Sequence, residues 1–264
     1  MAHVTIDPND KEAQLIEATG YDDHFHDHHH GDKYQSSFIG HYIFSMDHKI
    51  IARQFLITGI FWALIGAAMS IVFRLQLGFP EADLTWIRPL LGKWIVINDG
   101  VGSLSQEFYY ALVTMHGTIL VFFVLTAGLS GTFSNLLIPL QVGARDMASP
   151  FLNMLSYWFF FLAGVVMFYS LFLSTGPFSG GWTAYPPLSA LEQASTGSGT
   201  GMTLWLVSLT LFVVSVLLGG INYITTVLNL RTKGMSMWRM PLPIWAFFVT
   251  AILGLLSFLS LIHI

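Results

Sequence analysis

The 264-residue chain has no cysteine, which excludes disulfides, thiolate metal centres and cysteine nucleophiles. Charge is nearly as scarce. Asp, Glu, Lys and Arg make up 10% of the residues, against about 25% in soluble domains. The charges that exist are bunched. They leave uncharged runs at Gln54–Phe73, Phe108–Ala144, Met147–Leu191, Gln193–Leu230 and Met240–Ile264, of 20, 37, 45, 38 and 25 residues. A helix needs about 20 apolar residues to cross a bilayer. With 54% of residues apolar, this pattern excludes a soluble enzyme, a nucleic-acid binder and a disordered chain. It predicts an all-α, polytopic transmembrane helical bundle with the lipid membrane as its surroundings.

The formal net charge of −4 comes mostly from the N-terminal stretch and says nothing about an anionic partner. Met1–Tyr34 is polar and acidic, the reverse of a basic leader with an apolar core, so no cleavable signal peptide is expected ahead of the first span. Residues 1–48 are expected to form a polar arm. Within it, DDHFHDHHHGD (Asp22–Asp32) sets five histidines among acids, a composition that suits a transition metal. Nothing rigid fixes those ligands, so a solvated tail without a site is expected.

Spans are predicted at about Ile51–Leu77, Tyr109–Leu140, Phe151–Leu173 and Met202–Leu230, with a fifth from Pro243. Between the third and fourth, Gly176–Gly201 is rich in Gly, Ser, Thr and Pro and contains GGWTAYPPL (Gly180–Leu188). Trp and Tyr beside prolines suit a loop at the membrane interface. Lys11, Lys33, Lys49, Arg53, Arg145, Arg231, Lys233 and Arg239 fall on the N-terminal side, while only Arg74, Arg88 and Lys93 fall opposite. The positive-inside rule puts the N-terminus in the cytoplasm, even without Lys11 and Lys33.

Polar groups in hydrocarbon are costly, so the few present are informative. Of the ten histidines, His116 alone lies well inside a span, roughly 13 Å along the helix from Glu107 at 1.5 Å per residue. A neutral imidazole there bonds a neighbouring helix or ligates a metal. Gly117 beside it leaves room for a flat group to approach the backbone. Tyr109 and Phe123, seven residues either side, share its face. Arg74 ends the first span on the side where the second begins. A cation, a phenol and an imidazole so placed suit a flat anionic cofactor such as haem, although a lone histidine does not by itself separate haem ligation from helix packing.

VTMHGTILVFF (Val113–Phe123), NLLIPLQVGARDMASPFLNMLSYW (Asn135–Trp158), GWTAYPPL (Gly181–Leu188) and GGINYITTVLNLR (Gly219–Arg231) resemble subunit I of bacterial haem-copper cytochrome oxidases, in order and spacing, from about Asp47 to Phe258. The resemblance covers the first five of the family's twelve helices, with 49–258 as the matching domain. It implies a respiratory terminal oxidase core that takes electrons from cytochrome c and reduces oxygen to water, coupled to proton translocation, in the bacterial inner membrane with oxidase subunits II and III.

By the same resemblance, His116 is an axial ligand of a low-spin haem, expected to be haem a, and Arg74 and Tyr109 lie near that haem. Asp146 matches the carboxylate at the cytoplasmic mouth of the family's proton channel, and Asn135, Asn153 and Asn222 match asparagines lining it. Three positions depart from the pattern. Ser215–Val216 stands for a serine pair, Met154 for the second asparagine of a pair, and Gln76 for a cation-binding glutamate. Where the quinol-oxidising branch carries arginine, aspartate and histidine, this chain has Ile65, Met69 and Phe108, so cytochrome c is the expected donor. The alternatives are a quinol oxidase or nitric oxide reductase of the same superfamily, or a cofactor-free membrane transporter with a lone midplane histidine.

The second haem and copper B are expected only with later helices of the family, so this chain alone is expected to be inactive. LSLIHI (Leu259–Ile264) leaves the family pattern. It reads as a non-native tail encoded by a sequencing adapter, with no function expected of His263.

Overall fold

The computed structural model describes residues 39–195 and 197–262. The histidine-rich stretch Asp22–Asp32 lies outside them. The chain divides into Met1–Phe44 and Ser45–Ile264. The second unit holds all of the long helices.

Five long helices account for most of it: α1 (His48–Gly78), α2 (Gln106–Val142), α3 (Pro150–Ser170), α4 (Thr200–Asn229) and α5 (Leu242–Ile262). The first four are long and apolar enough to cross a bilayer. The fifth is apolar over Leu242–Phe258 but shorter among the described side chains. Local signals set the starts. Asp47 caps α1 by accepting from Lys49 N at 2.7 Å, Ser105 caps α2, and Ser149 caps α3 with Pro150 in its first turn. The caps place each start within a few residues of the hydropathy estimate.

Two features, one between spans and one within a span, were not anticipated. After α1 the chain forms a short antiparallel hairpin, β1 (Ile95–Asn98) and β2 (Val101–Leu104). Asp99 (φ 52°) and Gly100 (φ 84°) turn it, the paired left-handed conformations of a type I′ turn, for which Asp-Gly is the strongest short-range signal. Asp83 anchors the hairpin, accepting from Thr85 N (2.9 Å), the Thr85 hydroxyl and Gly102 N (2.8 Å). Gln76 adds a second anchor, accepting from Leu104 N at 2.9 Å and donating to Pro80 O at 3.3 Å.

The second feature lies in α2, where Ile119–Leu129 is wound as π-helix between two α-helical segments. Such widened turns recur at functional sites. Here the wide turns bring Gly128 against Gly59 of α1. A Cβ on either glycine would lie 2.9 Å from the other's Cα, so the two helices cross at backbone contact, as small residues allow in membranes.

Polar side chains tie the helices at isolated points. Ser208 and Ser215 of α4 donate to Ala163 O and Ser156 O of α3, both at 2.7 Å. Trp205 Nε1 donates to Thr118 Oγ1 of α2 at 3.1 Å, and Thr58 bonds the Tyr157 hydroxyl. Around them lies an aromatic core of Trp62, Phe123, Phe160 and Phe212, all at most 2% exposed. Ile57, Leu64, Phe133, Leu162 and Leu206 project outward. In water so much exposed apolar surface would aggregate; in lipid it is solvated. Trp86, Trp182, Tyr185 and Trp238 are exposed near the helix ends, where aromatic side chains favour the headgroup level.

Candidate functional site

His116 sits in the last α-helical turn of α2 before the π-helical segment, half-buried. Its Nδ1 lies 2.9 Å from Gly66 O of α1. A carbonyl only accepts, so the bond assigns the proton to Nδ1 and leaves Nε2 with a lone pair. This is the second-shell bond that orients a metal-binding imidazole. Among the described residues no hydrogen bond engages Nε2. The Phe73 ring meets the imidazole edge-on at 5.4 Å and also contacts Tyr109, at 6.1 Å.

Tyr109 precedes His116 by two turns, and Arg74 follows Gly66 by two turns on α1. Both therefore lie roughly 11 Å from the imidazole toward the same end of the bundle. Arg74 is exposed, its Nε donating to Ser70 Oγ at 2.9 Å. Among the described residues no hydrogen bond or ion pair joins Arg74 to Tyr109 or His116. The GWTAYPPL loop does reach the site, which its composition did not announce. Gly181 N donates to Thr114 Oγ1 at 3.0 Å, and Trp182 Cδ1 lies 3.6 Å from where a Cβ on Gly117 would stand. Gly117 thus keeps one face of α2 open beside His116, with Trp182 as its cover.

At the opposite end of the bundle, Asp146 lies in the turn between α2 and α3. Its Oδ1 accepts from Met147 N at 2.6 Å and lies 3.3 Å from Nδ1 of His48. His48 is 4% exposed, and neither ring nitrogen has a hydrogen-bond partner among the described residues. Sequence reasoning passed over His48, since as the first residue of a helix it resembles an ordinary surface group.

The three asparagines differ in what they do. Asn222 is fully engaged, its Oδ1 accepting from Ser149 N (2.8 Å) and its Nδ2 donating to Ser149 O (3.1 Å). With Thr226 Oγ1 accepting from Ala148 N at 2.9 Å, it pins the Asp146 turn to α4. Asn135 donates to Gly131 O at 2.7 Å and to the Tyr223 hydroxyl at 3.4 Å, while its Oδ1 is buried without a partner. Asn153 is fully buried with neither amide atom bonded among the described residues. Above them lies a cavity of about 100 Å³ lined by Thr126, Ser130, Ser156, Ser215, Val216 and Tyr223 among others. Buried amide atoms without a protein partner are groups that bound water satisfies.

The family model for cytochrome c and quinol oxidase polypeptide I matches residues 50–263. The chain belongs to this family. Among curated relatives, the alternative cytochrome c oxidase subunit 1 of Bradyrhizobium diazoefficiens is 41% identical over 220 residues, covering 83% of this chain and 34% of the relative. Cytochrome c oxidase subunit 1 of Synechocystis is 38% identical, covering 82% of this chain and 34% of its own length. That of Bacillus sp. strain PS3 is 36% identical, covering 82% and 31%. The chain spans about a third of the length of the curated relatives it matches. Membership makes it part of a haem-copper oxidase subunit I, a multi-pass membrane protein of an oxidoreductase family, and sets aside the cofactor-free transporter.

Proposed function

We propose that this chain forms the N-terminal part of the core subunit of a terminal oxidase, holding one face of a low-spin haem through His116 and taking protons from the cytoplasm at Asp146. The observation that carries the haem role is the Nδ1 contact to Gly66 O, which fixes the tautomer and presents Nε2. The residues fit the group. Gly117 keeps the approach open, Phe73 walls the imidazole, and Arg74 and Tyr109 stand two turns along on the same side, where they would meet anionic substituents. His116 would hold a haem there, and the group would supply one-electron relay when bound. The chain's own residues orient the imidazole and keep water from it.

On the cytoplasmic side, Asp146 collects protons and the Asn222–Ser149 clasp holds its turn. The Asn135 Oδ1 and both ends of the Asn153 amide carry the water that leads inward. The oxygen-reducing haem and copper B belong to the rest of the subunit, and subunits II and III complete the assembly. Cytochrome c is the donor this reading favours over a quinol. Phe108 is buried and stacked 5.0 Å from Trp94, and Ile65 and Met69 pack against the core, so none of the three offers a hydrogen bond to a quinol head group. This reading places the protein in the bacterial inner membrane, as the family resemblance implies, and the charge distribution supports a cytoplasmic N-terminus.

The test is His116→Leu in the full-length oxidase. Loss of the low-spin haem absorption band with the other haem retained is expected; a variant that keeps the band overturns the assignment.

A further inference from the structure

After Glu192 the chain carries no Asp or Glu, yet the turn between α4 and α5 holds Arg231, Lys233 and Arg239. The local sequence therefore gives these cations no counter-ion. The fold gives them none either, since among the described residues no ion pair engages any of the three. Two acids stand at this end of the bundle. Asp47 caps α1, and Asp146 accepts from Met147 N and faces His48 Nδ1 at 3.3 Å.

The turn is held by contacts of its own. Thr232 N donates to Val142 O at 2.9 Å, and a Cβ on Gly143 would lie 3.1 Å from Thr232 Cβ, so the turn is tied to the end of α2. Gly234 (φ 90°) reverses the chain, and Arg231 Nη1 donates to Met237 Sδ. Lys233 and Arg239 are left exposed, with no side-chain hydrogen bond among the described residues. Beside them Trp238 is 91% exposed, and Leu242, which opens α5, is 82% exposed. Trp238 and Trp245 stand with ring centroids 6.4 Å apart. An indole so exposed at the end of a span favours the headgroup layer, and cations without counter-ions beside it attract anionic lipid there.

We propose that the α4–α5 turn is a docking surface for an anionic phospholipid, its phosphodiester held by Lys233 and Arg239 and its apolar end laid along Trp238 and Leu242. Two observations make the occupant a lipid. The charge is complementary to a phosphodiester, whereas a zwitterionic headgroup brings an ammonium that these cations repel. The exposed face is also continuous with an apolar stripe of α5, where Leu242, Val249, Leu253 and Leu256 recur at helical spacing and all project outward. The proposal is independent of the haem and proton roles.

The test titrates the purified full-length oxidase with short-chain phosphatidylglycerol and, separately, short-chain phosphatidylcholine, and counts bound lipid by native mass spectrometry. Phosphatidylglycerol is expected to bind more tightly and to weaken as salt rises. The double variant Lys233→Gln, Arg239→Gln is expected to lose at least about tenfold of that affinity with phosphatidylcholine binding unchanged, while Lys233→Arg with Arg239→Lys retains it. Arg88→Gln, which removes an exposed cation at the other end of the bundle, is expected to have no effect. Equal affinity for the two lipids overturns the proposal. So does a double variant that binds as wild type does, the result expected if protein covers the turn. An equal loss in Arg88→Gln also overturns it, because net charge would then act without a surface. Should the double variant fail to assemble, Arg239→Gln alone decides: a loss of about fivefold is expected, and wild-type affinity overturns the proposal.

Discussion

Asn153 and Asn222 show how one residue type does opposite work in one bundle. The Asn222 amide spends both ends on Ser149, whereas the Asn153 amide is buried with both ends bare. Burying an unbonded amide costs about 1–3 kcal/mol, a cost that only bound water relieves. Asn153→Leu, close to it in volume, is therefore expected to leave thermal stability unchanged or raise it by about 1 kcal/mol, while slowing proton uptake in the full-length enzyme. A loss of stability with normal uptake would make Asn153 a structural residue. His116 was legible in the sequence because a histidine deep in a span is rare. The approach of His48 to Asp146 was not, because 98 positions separate them along the chain and neither carries a local signal for the other.

Among the elements, the α1–α2 crossing tolerates little change. Gly59→Ala would put a methyl 2.9 Å from the Gly128 backbone, which no side-chain rotation relieves. It should cost about 1–3 kcal/mol by overpacking, and by moving Gly66 away from Nδ1 it should also broaden the haem band; a melting curve and a spectrum of the full-length variant check both. The hairpin anchored by Asp83 makes a pH prediction. Hydrogen bonds from the Thr85 hydroxyl, Gly102 N–H and Thr85 N–H hold its carboxyl below the ordinary value of 3.8. A depressed carboxyl contributes above the unfolded value and is lost as pH falls through the lower, folded one. The hairpin should thus stay closed at neutral pH and loosen only below about pH 4, seen as faster amide exchange at Gly102, with Asp83→Asn open at either pH. The Asp-Gly turn was readable in advance. The π-helical winding of α2 was not, because hydropathy does not report how many residues fill a turn.

For the whole molecule, the charge count fixes an orientation that reporter fusions can check. Fusions after Gly234 should report the cytoplasm and fusions after Gly180 the opposite side; the reverse pattern would invert both the N-terminus and the proposed direction of proton uptake. The spans themselves were legible to within a few residues, from Ile51–Leu77 against His48–Gly78 to Met202–Leu230 against Thr200–Asn229. Hydrocarbon length and the cost of burying charge act on each segment separately, so the sequence by itself determined the number and order of the helices and the motif blocks that announce the family. Only the tertiary structure decided which polar atoms meet. The tautomer of His116 depends on a carbonyl 50 residues away, and the anchorage of the Asp146 turn on Asn222. Hydrogen bonding is short-ranged and directional, and it is set by how helices cross rather than by how apolar they are.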